Sequence, residues 1–184
     1  MRTGLVNGDG RRESVVVKGY PEHAKSWRSV ATPIGELVLL ASAKGIAGLF
    51  FGHRVERERL PGGEEGRGLL EEASGQLTEY FALRRREFEL PLDVIGTAFQ
   101  QSVWGELVKI KFGELASYRD VAERIGKVRA VRAVGLANGA NPVSVVVPCH
   151  RVIGANGALT GFGGGLELKR KLLEHEGAIS RELL

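Results

Sequence analysis

A single cysteine, Cys149, constrains the fold of this chain more than any other feature of its sequence. One cysteine cannot form an internal disulfide, and it cannot supply the several thiolates that many structural zinc sites use. The 4 histidines are scattered without metal-ligand spacing, so we expect neither a metal nor another cofactor. The fold therefore depends on a hydrophobic core, for which 184 residues with 43% hydrophobic composition are sufficient.

The sequence gives no sign of a membrane span or a secretion signal. No apolar run approaches the ~20 residues that cross a bilayer, and the opening segment MRTGLVNGDGRRES contains no apolar stretch. We therefore expect a cytoplasmic protein that does not bind membranes.

Apolar patterning divides the chain into a tail and two halves. Residues 1–26 are polar and glycine-rich, which predicts a tail or a loose strand. Two β-prone runs within 29–51 predict a hairpin, and apolar residues at helical spacing predict a helix over 69–85. The charged segment 53–68 is predicted to be a loop, and 86–96 to connect the halves.

The second half carries two signals for helix starts. Thr97 with Gln100, and Ser117 with Asp120, have the spacing of capping boxes, in which each side chain bonds the other residue's backbone. The helix after Ser117 is predicted to stop at Gly126. The segment VRAVRAVGLANGA then predicts another short helix, and two short helices joined by a glycine turn indicate a helix-turn-helix. An ordinary helical hairpin is the alternative.

Charge is distributed unevenly along this half. The 43 residues from Arg124 to Leu166 contain no Asp or Glu, which predicts a surface that faces a polyanion, since carboxylates would repel phosphate. A segment that lacks acids through its Gly, Ala and Val content is the alternative. Its basic residues are Arg124, Lys127, Arg129, Arg132 and Arg151.

Cys149 follows the valine run VSVVV and Pro148. The run predicts a buried strand that ends at the proline, with Cys149 at its exit as either an apolar filler or a nucleophile. His150 could accept the thiol proton, but neighbours in an extended chain point to opposite sides. A relay through water or a turn is therefore favoured over a direct dyad.

The last predicted helix, LELKRKLLEHEG, places two charges on its apolar face. Lys169, Leu172, Leu173 and Glu176 follow helical spacing, so the leucines should carry the lysine and glutamate inward. Buried charges are costly unless paired or used. In the alternative, Lys169 reaches solvent along the surface and Glu176 caps the exposed helix end.

Five ordered motifs carry a family resemblance. GTAFQQSVW, SYRDVAERIG, RAVGLANGANP, PCHRVIG and GFGGGLELKRKLLEHEG together resemble the O6-alkylguanine-DNA alkyltransferases, and TPIGELVLLASAKGIAGLFF resembles the first half of that family more loosely. The resemblance implies an α/β lobe similar to ribonuclease H over 27–92. A mostly helical alkyltransferase lobe with the helix-turn-helix would follow over 93–180.

The resemblance also implies a reaction. Members of the family rotate a damaged nucleotide out of duplex DNA, and a cysteine takes the alkyl group irreversibly. The implied partner is double-stranded DNA that carries O6-alkylguanine, with O4-alkylthymine as a further substrate and a monomer as the active form. Carried over by motif, Cys149 is the acceptor, His150 a base acting through water, and Glu176 the carboxylate that orients it. Asn141 would brace the site, and Tyr118 would help turn the nucleotide and assist the leaving guanine.

Further positions follow from the same motifs. Arg132 would fill the base stack, and the other implied DNA contacts are Tyr118, Arg129, Ala130, Ala133, Gly135 and Arg151. The implied substrate pocket comprises Val147, Pro148, Val152, Phe162, Gly163 and Lys169. The family usually has tyrosine where this chain has Phe162, so a hydroxyl contact is lost while ring stacking is kept.

Three other functions remain open from the residues alone. A non-catalytic protein that binds alkylated DNA would not need the acceptor Cys149. In a helix-turn-helix regulator with a sensor cysteine, the inward Lys169 and Glu176 would have no assigned role. A cysteine hydrolase is disfavoured by the adjacent Cys–His pair.

Overall fold

The computed structural model describes residues 20–180. The predicted tail over 1–26 therefore lies mostly outside the described residues. Its last part packs on the first lobe, where Ala24 is buried and the ring of Tyr20 meets Phe50 edge-on.

As far as the described residues show, the first lobe is a three-stranded antiparallel sheet covered by one α-helix. The strands pair in the order β1-β2-β3, and Val30 of β1 lies opposite Leu37 of β2. The predicted hairpin corresponds to β2 and β3. The sequence analysis missed β1, whose exposed polar positions interrupt its apolar pattern. The elements are β1 (Ser26–Thr32), β2 (Gly35–Ala41), β3 (Ile46–Phe51) and α1 (Arg67–Phe81).

Within the part of the chain that the structure describes, the second lobe contains four α-helices and a short parallel strand pair. Both predicted capping boxes are present, at Thr97 and at Ser117. Gly126 has φ 68° and follows the end of α3, as predicted, and α4 packs against both α2 and α3. The elements are α2 (Ala98–Leu107), β4 (Ala116–Ser117), α3 (Tyr118–Arg124), α4 (Val131–Gly139), β5 (Val152–Ile153) and α5 (Leu166–His175).

One hydrophobic core runs through both lobes. The backbone of Leu49 in β3 donates to Pro142 O at 2.9 Å and accepts from Ser144 N at 3.2 Å, which joins the sheet to the segment before Cys149. Core side chains come from the sheet, from four helices and from the cysteine segment: Leu39, Leu49, Leu77, Trp104, Val134, Val147, Cys149 and Leu172.

The predicted strand VSVVV is wrong, although its side chains are buried. Val146 N donates to Ser144 O at 2.9 Å and closes a three-residue turn around Val145, whose φ is 72°. Val147 N donates to Val143 O at 2.9 Å. The buried backbone groups are thus satisfied by turns and by β3, and tertiary packing overrides the β-propensity of valine. Within residues 20–180, no helix is long and apolar enough to cross a membrane.

Candidate active site

Cys149 lies in a short 3₁₀ turn, Cys149–Arg151, and not at the exit of a strand. The turn is set by Pro148, around which Cys149 N donates to Val147 O at 2.8 Å. A 3₁₀ turn has about three residues per turn, so neighbouring side chains are separated by about 120°. Cys149 and His150 are therefore not forced to opposite sides, as an extended chain would require. The cysteine is 3% exposed.

His150 is fully buried and bonded to Glu176. Its Nε2 lies 2.9 Å from Glu176 Oε1, and its Nδ1 has no hydrogen-bond partner among the residues that the structure describes. Burial lowers the pKa of His150, against the opposing effect of Glu176. The ring is therefore neutral at neutral pH. Because a carboxylate only accepts, the proton is assigned to Nε2, which leaves the lone pair on Nδ1.

Glu176 is the most densely bonded side chain of the site. Oε1 accepts from His150, from Tyr80 Oη at 2.6 Å and from Arg151 Nη2 at 2.9 Å. Oε2 accepts from Arg151 Nε at 2.8 Å and from Gly113 N at 3.3 Å. Burial alone would raise the pKa of Glu176, but the hydrogen bonds and charges of His150 and Arg151 lower it below its ordinary value. The inward position of Glu176 agrees with its helical spacing.

Arg151 is buried, which does not fit its predicted role as a DNA contact. Its side chain is 6% exposed and forms a two-point ion pair with Glu176. Nη1 also donates to Ile110 O at 2.5 Å. A buried carboxylate needs a counter-ion, and Arg151 supplies it.

Two asparagines support the backbone around Cys149. Asn141 donates from Nδ2 to Val147 O at 2.8 Å and accepts from Val143 N at 3.0 Å, which ties together the two sides of the valine turn. Asn138 was missed by the sequence analysis. It is 1% exposed and donates to Cys149 O at 3.3 Å. Its spacing from Val134 on α4 could have indicated that it points inward, but the sequence does not show that it contacts Cys149 O.

Lys169 is buried, so the inward position is confirmed over the surface alternative. Its Nζ donates to Val152 O at 2.5 Å and Thr160 O at 2.7 Å. Burial lowers its pKa to about 8, against the opposing effect of the Cys149 charge. The protonated form therefore predominates at neutral pH and places a cation near the sulfur.

Tyr118 and Phe162 lie close to other residues of the site. Tyr118 Oη donates to Thr160 O at 3.1 Å, so the carbonyl of Thr160 joins Tyr118 to Lys169. Burial raises the pKa of Tyr118, and the Cys149 charge raises it further. Phe162 has its ring centroid 6.4 Å from that of His150. Of the other predicted pocket residues, Val147, Pro148 and Val152 are buried and Gly163 is exposed.

The predicted DNA contacts, apart from Arg151, gather at α4 and the turn before it. Arg129, Arg132 and Ala133 are exposed, and Ala130 and Gly135 are half-buried. Gly135 lies against the ring of Tyr118, so the helix surface continues to the cysteine site. A cavity of about 600 Å³ lies elsewhere, between the lobes, and Trp104, Ile95 and Phe50 are among its lining residues.

Comparison with known proteins gives one consistent result. The family model described as "6-O-methylguanine DNA methyltransferase, ribonuclease-like domain" matches residues 26–94. The model described as "6-O-methylguanine DNA methyltransferase, DNA binding domain" matches residues 98–178. The two matches cover both lobes.

Individual relatives agree over most of the chain. The methylated-DNA–protein-cysteine methyltransferase of Mycobacterium leprae is 46% identical over 149 residues, which cover 81% of this chain and 90% of the relative. The protein of the same name from Methanosarcina barkeri is 43% identical over 148 residues, or 80% of this chain and 94% of the relative. The crystal structure of Mycobacterium tuberculosis OGT in complex with DNA superposes with a TM-score of 0.73 at 44% identity, covering 83% and 92% of the two chains.

Proposed function

Because this chain belongs to the methylated-DNA–protein-cysteine methyltransferase family, we propose that it repairs duplex DNA by moving the alkyl group of O6-alkylguanine onto Cys149. His150 lies in the turn that holds the cysteine, and Glu176 lies at the end of α5. The hydrogen bond between these two residues is the observation that carries the proposal. Burial keeps the ring neutral, and the bond to Glu176 holds its one proton on Nε2, which leaves the Nδ1 lone pair available as a base.

The chemistry is a single displacement. The thiol proton passes through a bridging water to His150 Nδ1, while the Nε2–H group of the ring remains hydrogen-bonded to Glu176. The sulfur then bonds to the alkyl carbon while the bond from that carbon to guanine O6 breaks. The guanine leaves with the electron pair and takes a proton from Tyr118, whose raised pKa keeps the hydroxyl protonated. Solvent returns that proton. The thioether is stable, so each molecule reacts once.

Lys169 favours the thiolate form of Cys149. A cation near a thiol lowers the free energy of the thiolate, and the charge of Cys149 and that of Lys169 are close enough to affect each other. The lysine is fixed by two backbone carbonyls, so it need not rearrange during the reaction.

Access to the sulfur requires an extrahelical base. A base stacked in a duplex cannot reach a cysteine that is 3% exposed, so the nucleotide is rotated out of the helix. Arg132, exposed on α4, takes the place of the rotated base in the stack.

Intact-protein mass spectrometry with O6-benzylguanine tests the proposal. We expect one benzyl adduct per protein in the wild type and none in Cys149→Ala. An absent adduct together with tight binding to alkylated duplex DNA would instead favour a non-catalytic binding protein. Repeated release of a product would favour a hydrolase.

A second arm separates DNA handling from chemistry. Arg132→Ala is expected to slow repair of O6-methylguanine in a duplex while leaving the reaction with free O6-benzylguanine unchanged. Equal losses in both assays would contradict the role of Arg132. Activity towards O4-alkylthymine and a monomeric active form belong to the same proposal, and a thymine-lesion duplex and sedimentation analysis test them.

A further inference from the structure

The first lobe contributes one side-chain hydroxyl to the hydrogen bonds around Glu176 and His150. Tyr80 lies in α1 and is separated from Glu176 by 96 positions in sequence. Its hydroxyl donates to Glu176 Oε1 at 2.6 Å, and His150 Nε2 lies 2.9 Å from the same oxygen. A single carboxylate oxygen thus serves the base of the second lobe and a tyrosine of the first.

Packing fixes the position of this hydroxyl. Tyr80 is fully buried, and its ring lies 5.3 Å from Phe88, 5.8 Å from Phe112 and 5.0 Å from His175 between centroids. The backbone oxygen of Tyr80 also lies 3.0 Å from His175 Nε2. Contacts from the segment after α1, from the segment after α2 and from α5 therefore leave the ring little freedom.

We infer that Tyr80 is a positioning residue of alkyl transfer, through which the first lobe holds Glu176 in the geometry that keeps His150 available as a base. The inference rests on the proposed function and deepens it. The hydroxyl withdraws negative charge from Oε1, the oxygen that holds the His150 proton. Without this bond, Oε1 would stabilise the doubly protonated ring, which cannot accept the thiol proton.

Other groups around His150 and Glu176 also affect whether the His150 ring is neutral. His150 is affected by Glu176, Arg151 and Lys169, and burial is the largest influence on it. Burial raises the pKa of Tyr80 well above its ordinary value, and the charge of Glu176 raises it further. The hydroxyl therefore stays protonated throughout the pH range of the assay and always donates.

The variant Tyr80→Phe tests the inference because it removes one oxygen and keeps the ring packing. Tyr20→Phe is a matched control, since its hydroxyl accepts from Glu56 N in the same lobe and does not contact Glu176. Benzylation of Cys149 by free O6-benzylguanine is followed by mass spectrometry across the pH range. The rate constant is taken from each time course and does not depend on the fraction of active protein.

We expect the rise in rate with pH to shift upward by roughly half a unit or more in Tyr80→Phe, with a loss of about threefold on the acidic side of the rise and little loss on its plateau. Tyr20→Phe should follow the wild type. A uniform loss at every pH would show a structural role only and overturn the inference. So would an unchanged profile, or a Tyr80→Phe protein that does not fold. A wild type that forms no adduct would instead refute the proposed function.

Discussion

The ion pair between Arg151 and Glu176 can be tested by replacing the arginine with methionine, which keeps most of its aliphatic packing. The change removes two hydrogen bonds to the carboxylate, at 2.8 and 2.9 Å, and a third to Ile110 O. The side chain of Glu176 is 0% exposed, so it would remain buried without its counter-ion.

Breaking a buried ion pair from one side costs about 3–5 kcal/mol. Tyr80, His150 and Gly113 still bond to Glu176 in the variant, which places the expected loss near the lower end, at roughly 3 kcal/mol. With a urea dependence of ~2 kcal/mol per molar, the unfolding midpoint should fall by about 1.5 M. Equilibrium urea unfolding followed by circular dichroism measures this.

Two controls make the result specific. Arg132→Met changes an exposed arginine of α4 and should alter the free energy of unfolding by no more than about 0.5 kcal/mol. The double variant Arg151→Met/Glu176→Gln should recover at least ~1 kcal/mol relative to the sum of the single changes, because the unpaired charge is gone. If Arg151→Met is as stable as Arg132→Met but binds DNA more weakly, the structural role assigned to Arg151 is refuted.

Two further predictions concern pH. The pKa of Glu176 is lower in the folded state than its unfolded value of ~4.3, so its ionisation stabilises the fold above that pH and this contribution is lost as pH falls further. The stability difference between wild type and Glu176→Gln, from urea unfolding, should therefore shrink between neutral pH and about pH 3; a constant difference would contradict this. Lys169 has its pKa lowered from 10.5 to about 8, so the unfolded chain holds more protons between these values and wild-type stability should rise with pH there. Relative to Lys169→Met, the gain should be roughly 1–3 kcal/mol, and parallel pH profiles of the two proteins would rule it out.

Local features of the fold were predictable from the sequence because their physics is local. The capping boxes at Thr97 and Ser117 depend on residues three positions apart. The inward faces of Lys169 and Glu176 follow from helical spacing with two leucines. For these elements, the residues that decide the structure lie within a few positions of one another in the sequence.

Features that depend on distant partners were not predictable. A buried valine run is compatible with a strand or with turns, and the bonds that decide between them come from Leu49 of β3. Arg151 lies in a basic segment, but its partner Glu176 is 25 positions away. Helical spacing places Tyr80 on the apolar face of α1, and Asn138 follows Val134 by four positions on α4. Their roles are recognised only through the carboxylate and the carbonyl that they contact.

The strand β3 has a consequence for how this protein can be divided. One family match ends at residue 94 and the other begins at residue 98, which suggests a convenient place to cut the gene. Yet Leu49 supplies two backbone hydrogen bonds to the segment that precedes the reactive turn. A fragment that starts at residue 98 would lose them and expose the valines of that segment to water. We expect such a fragment to be inactive alone and to regain activity when the missing half is added in trans, because the two matched regions fold as one cooperative unit.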